Sequence, residues 1–84
     1  MAVLLALLCE AHLESCEINS TSPAAGNLIH ELKLRTLTGA SIVGIERNGR
    51  SIINPSPDEE LQPGDKVLLL GSSGQLEAAR KILK

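Results

Sequence analysis

Ser41-Ile-Val-Gly-Ile-Glu-Arg47-Asn-Gly-Arg-Ser51-Ile-Ile-Asn54 reads as two strands joined by a tight turn. Ile42, Val43 and Ile45 are β-branched and suit a pleated, half-buried surface. Asn48-Gly49 suits a type I′ hairpin turn, because both central positions of that turn need positive φ. Ser51 to Asn54 returns as the partner strand. Pro55 and Pro57 stop it, since proline donates no N–H to a ladder.

Toward the C-terminus, Asp58-Glu-Glu-Leu61 is expected to form one helical turn, its carboxylates at the positive end of the helix dipole. Gln62-Pro-Gly-Asp65 places Pro and Gly where a β-turn favours them. Lys66-Val-Leu-Leu-Leu-Gly71 is a near-continuous apolar run, so a central, buried strand is expected. Ser72 or Ser73 then caps a last helix, in which Leu76, Ala79, Ile82 and Leu83 fall at helical spacing.

Toward the N-terminus, Asn27 is expected to cap a helix. Leu28, Ile29, Leu32 and Leu37 make its apolar stripe. Leu34 lies off that stripe, which points to a kink or to a second, exposed contact face. Gly39 ends the helix in a left-handed conformation. Asn19 to Gly26 is turn-rich, and residues 12–18 read as a short strand. The order is β-α-β-β-β-α, an α/β (α+β-like) domain over residues 12–84 on a small mixed sheet.

Residues 1–11 are expected to be an apolar extension or the end of a preceding segment. Residues 1–8 are wholly apolar. A helix that crosses a bilayer needs about 20 such residues. The positive start and small residues of a signal peptide are missing, and bulky Leu8 before Cys9 fits no lipoprotein site. The two cysteines suit a reducing cytoplasm.

The 84 residues contain no Phe, Tyr or Trp. A thin core of Leu, Ile, Val and Ala leaves a domain of this size in need of a partner, so a homodimer or a neighbouring domain is expected. The net charge of −2 and the lack of aromatic platforms argue against nucleic-acid binding. Lys33, Arg35, Arg47 and Arg50 are nonetheless close in sequence, which is either a local anion site or a solvated face.

No catalytic arrangement is found: there is no Gly-x-Ser-x-Gly elbow, dinucleotide fingerprint or P-loop. Gly71-Ser-Ser-Gly74 reads as a helix cap rather than a phosphate cradle. Cys9, His12 and Cys16 would need a fourth zinc ligand, Glu10 or Glu14; a buried Cys16 and an exposed His12 are the better reading, and no metal is expected. Arg35 follows the helix stripe. Its planar fork can face a phosphate or carboxylate of a ligand or partner, or pair with a nearby Glu on the surface.

Several segments occur here in one order: Ser22-Pro-Ala-Ala-Gly26, Glu31-Leu-Lys-Leu-Arg35, Thr38-Gly39, Ser41-Ile-Val-Gly-Ile45, Ile52-Ile-Asn-Pro55, Pro57-Asp58 and Leu61-Gln-Pro-Gly-Asp65 before Val67-Leu-Leu-Leu-Gly71. The set resembles the C-terminal ligand-sensing subdomain of the regulators of potassium conductance, RCK-C or TrkA-C. The resemblance implies a dimer without catalysis at the cytoplasmic face of the membrane. It implies a potassium or other cation channel, transporter or antiporter as partner, and a Rossmann-like nucleotide-binding half elsewhere in the full protein. No cofactor is implied for this stretch itself.

Some members of that family bind cyclic di-AMP in the dimer cleft. By position, the resemblance assigns Ile29, His30, Leu34, Arg35, Ser41 and Ile42 to such a site, for a cyclic dinucleotide or another small anionic ligand. Two positions depart from those binders. His30 stands where they carry an apolar residue and Ser41 where they carry Asn, and Ser lacks the second hydrogen-bonding atom of an amide. The alternative is a purely structural dimerisation module of a membrane permease with no small-molecule ligand.

Overall fold

In a computed structural model, which describes residues 11–84, Asn48 and Gly49 take φ of 51° and 78°. They join β2 (Ser41–Arg47) to β3 (Arg50–Ile53) as an antiparallel hairpin. β4 (Lys66–Gly71) pairs antiparallel with β2 on one side and with β1 (His12–Glu17) on the other. The sheet order is β1-β4-β2-β3, with a register shift in β2 between Ile42 and Gly44.

All three pairings are antiparallel, so the expected mixed sheet is corrected. β1 and β2, the two strands joined through the helical segment, do run in the same direction. They are not neighbours, because β4 lies between them.

The expected single helix is two short ones, α1 (Ile29–Leu32) and α2 (Leu34–Thr38). Lys33 separates them in the left-handed region, with φ of 49°. This break resets the helical phase and corrects the reading of Leu34 as an exposed contact. Leu34 turns inward and is 4% exposed, while Leu37 is 65% exposed. Gly39 closes α2 with φ of 82°.

Asn27 does not cap the helix. Its side-chain amide donates to the Pro23 carbonyl at 2.9 Å. Leu28 occupies the cap position, and its N–H donates to the Glu31 carboxylate at 2.7 Å. Asp58 to Leu61 forms no helical turn either. Its backbone bonds to the chain before α1 instead: Leu61 N–H donates to Asn27 O at 2.9 Å, and Gly26 N–H to Leu61 O at 2.7 Å.

α3 (Ser73–Leu83) is capped as expected. Ser72 Oγ accepts from Gln75 N–H at 3.3 Å, and Ser72 N–H donates to Gln75 Oε1 at 2.9 Å. Two of the unpaired amides at the helix start are thereby satisfied. Leu76, Ala79 and Leu83 are buried on one stripe of α3. They meet Cys16, Ile45, Val67 and Leu69 from the inner face of the sheet in one core. Leu68 and Leu70 point the other way and stay exposed. β4 is therefore central, but among the described residues it is covered on one face only. No helix among the described residues is long and apolar enough to cross a membrane.

Candidate functional site

Ile29, His30, Leu34, Arg35, Ser41 and Ile42 line one cavity of about 390 Å³. The volume lies within the usual range for small-ligand pockets. α1 contributes Ile29 and His30, α2 contributes Leu34 and Arg35, and the start of β2 contributes Ser41 and Ile42. Leu34 and Ile42 also touch the core, so the cavity floor is continuous with it. The Lys33 break shapes the wall: it turns Leu34 into the core and leaves Arg35 exposed beside the cavity.

Lys33, Thr36, Ala40, Pro55 and Pro57 complete the lining, and sequence reasoning had not placed them there. The two prolines had been read only as strand stops. They come from the long loop between β3 and β4, which folds back against α1. Ile29 N–H donates to Glu59 O at 2.9 Å, and His30 N–H to Pro57 O at 3.0 Å. These main-chain bonds hold the opposite wall against α1.

The cluster of four basic residues divides. Lys33 and Arg35 face the cavity, and among the described residues neither has a carboxylate within 4.0 Å. Among the described residues Arg35 therefore does not make the surface pairing considered for it, and its planar fork suits an anion. Arg47 is instead held by carboxylates, with Asp65 Oδ2 at 2.8 Å and Glu59 Oε2 at 3.1 Å. Glu59 thus serves this network rather than a helix start, and Asp58 faces His30, with Oδ1 3.6 Å from Nε2.

Cys16 is buried against the core, and burial pushes its thiol pKa up while the positive charge of Lys84 acts against that rise. A thiol in that setting is a poor ligand or nucleophile. Its suggested neighbour Cys9, and all but the last residue of the expected extension over residues 1–11, lie outside the described residues. Among the described residues, no group of three His, Cys, Asp or Glu side chains could hold a metal.

The family model of the TrkA-C domain matches residues 13–84. The chain belongs to that family. Among curated proteins, TrkA-C relatives include a probable potassium channel protein of Methanocaldococcus jannaschii, 31% identical over 75 residues. An uncharacterised transporter of Bacteroides fragilis is 36% identical over 58 residues. This chain covers 22% and 10% of their lengths while 89% and 69% of it is aligned, so it spans only a small part of each.

Three solved structures share the TrkA-C fold closely. The C domain of the potassium transport protein KtrA, in complex with cyclic di-AMP, superposes with a TM-score of 0.79 at 28% identity, over 95% of this chain and 92% of that one. The RCK-C domain dimer of Streptococcus agalactiae BusR, also with cyclic di-AMP, gives 0.76 at 27% identity, over 83% and 92%. The GsuK channel bound to NAD gives 0.74 at 32% identity, over 90% of this chain and 14% of the channel. The longer BusR chain, of which this domain covers 46%, is also seen with promoter DNA.

Proposed function

We propose that this TrkA-C domain is a non-catalytic, ligand-sensing dimerisation module that controls a potassium or other cation transporter from the cytoplasmic face of the membrane. One observation carries the reading. The six residues Ile29, His30, Leu34, Arg35, Ser41 and Ile42 converge on a single cavity beside an Arg35 that no carboxylate among the described residues neutralises. The cyclic di-AMP complexes of KtrA and BusR supply the class of ligand, a symmetric anion, and the BusR dimer supplies the arrangement.

In a homodimer associated through α1, α2 and nearby strand residues, two cavities approach one two-fold axis. Two copies of Arg35 then face one ligand. A molecule with two negative groups related by symmetry engages both, and a cyclic dinucleotide has that form. Ser41 offers one hydroxyl to the ligand, and the aliphatic lining excludes water from the contact. The reading gives the domain no nucleic-acid contact, in keeping with its net charge of −2. It places the transmembrane partner, and a Rossmann-like half, in the remainder of the full protein.

Calorimetric titration of cyclic di-AMP, ATP and NAD into the wild type and Arg35→Ala tests this. A charge-assisted hydrogen bond is worth about 1.5–3 kcal/mol, so losing both copies weakens binding by roughly a hundredfold or more. Binding that survives Arg35→Ala unchanged overturns the placement. Binding by none of the three leaves the purely structural dimer as the better description.

A further inference from the structure

We propose that His30 is a second, proton-titrated member of the anion site, so that the domain binds its ligand more tightly as the medium becomes mildly acidic. This rests on the anion-site reading and adds a regulator to it. His30 lines the same cavity as Arg35. Its backbone N–H is bonded to Pro57 O, so the main chain of His30 is anchored to the β3–β4 loop. Its Nε2 lies 3.6 Å from Asp58 Oδ1, beyond a direct hydrogen bond. The two side chains are 52% and 84% exposed. The pairing is therefore loose and solvated, and an incoming anion can replace it.

The charged groups around the imidazole come from each element that packs there. Lys33 and Arg35 line the cavity from the helical segment, and Asp58 approaches from the β3–β4 loop. The Glu31 carboxylate is turned away to the Leu28 N–H, and Glu59 is engaged by Arg47. β2 contributes only Ser41 and Ile42. Two fixed positive charges and one titratable group thus face the space where the ligand would sit. Imidazole is the side chain that ordinarily changes charge between pH 5 and 8. Protonation adds a third positive charge per protomer, so bound anion and bound proton must favour each other by linkage.

The test titrates cyclic di-AMP into the wild type at pH 6 and pH 8, in buffers of different ionisation enthalpy. A phosphodiester keeps its charge over that range, so a change in affinity belongs to the protein. The expected result is binding about tenfold tighter at pH 6 with measurable proton uptake. Both effects vanish in His30→Gln, which keeps a polar side chain but cannot take up a charge: its affinities at pH 6 and pH 8 become equal and no proton is taken up, whatever its absolute affinity. Affinity independent of pH in the wild type, or the same dependence in His30→Gln, overturns the inference and leaves the anion site standing, as loss of binding in Arg35→Ala would show separately. No binding at either pH overturns the anion site, and this inference with it.

Discussion

Arg47 holds both carboxylate oxygens of Asp65, Oδ1 through Nε and Oδ2 through Nη2, each at 2.8 Å. The same guanidinium reaches Glu59 Oε2 at 3.1 Å and the Glu60 carbonyl at 2.9 Å. Asp65 is 1% exposed and also accepts from the Gln62 N–H at 2.9 Å. One side chain at the end of β2 therefore ties down the loop whose prolines wall the cavity. Bidentate pairing of this kind is specific in geometry as well as favourable in energy.

Arg47→Met should leave Asp65 buried without its partner. Breaking one side of a buried pair costs about 3 kcal/mol, or a fall in Tm of roughly 12–24 °C for a domain of this size. Thermal denaturation followed by circular dichroism checks it. A fall of less than about 4 °C would show that the network contributes little.

Acid should act through the same pair. Burial pushes the Asp65 carboxyl up, but the Arg47 hydrogen bonds, the Gln62 N–H and the Arg47 charge outweigh it, so the group titrates below its unfolded value of 3.8. A depressed folded pKa means stability that is complete above the unfolded value and lost as the pH falls through the folded one. Wild-type Tm should therefore fall as the pH drops below about 4. In Arg47→Met only the Gln62 N–H still opposes burial, so the depression of the Asp65 pKa is lost and the part of the acid-induced fall in Tm that Asp65 causes should shrink or disappear. Identical acid limbs in the two proteins would refute this.

Leu34 and Leu37 should separate folding from association. Leu34→Asp puts a carboxylate into the core and should unfold the chain, because an unpaired buried charge neutralises or escapes to water. Leu37→Asp, at a 65% exposed position on α2, should leave the monomer folded and weaken the proposed dimer. Sedimentation with circular dichroism distinguishes the two. A folded, still dimeric Leu37→Asp would move the interface away from this part of α2.

Gly49 and Gly39 both have positive φ but differ in their surroundings. A Cβ on Gly49 meets nothing within 4 Å, so Gly49→Ala should cost only the conformational term of about 1 kcal/mol. Gly49→Val should cost more, because a β-branched residue tolerates that region least. A Cβ on Gly39 would lie 2.5 Å from the Gln75 amide nitrogen. Gly39→Ala should therefore lose more than Gly49→Ala, since Gln75 must leave its capping bond to Ser72. Equal denaturation midpoints for the two Ala variants would contradict the close approach of α2 and α3.

The sequence by itself determined the features whose cause is local. Asn48-Gly49 can adopt the turn because of its own backbone freedom, and Ser72 can cap because its hydroxyl is two bonds from the main chain. The apolar spacing of Leu76, Ala79 and Leu83 follows from helical pitch. The ordered motifs carried the family and the six cavity residues. Only the tertiary structure decided the rest. The left-handed Lys33 that turns Leu34 inward has no signature in its residue type, because lysine takes that conformation only when packing on both sides favours it. The insertion of β4 between β1 and β2 depends on pairing across distant segments. The choice of Arg47 for a buried carboxylate, and of Arg35 for open space, has the same origin: the two arginines are alike as residues, and only long-range folding brings Asp65 and Glu59 within hydrogen-bond reach of one and not the other.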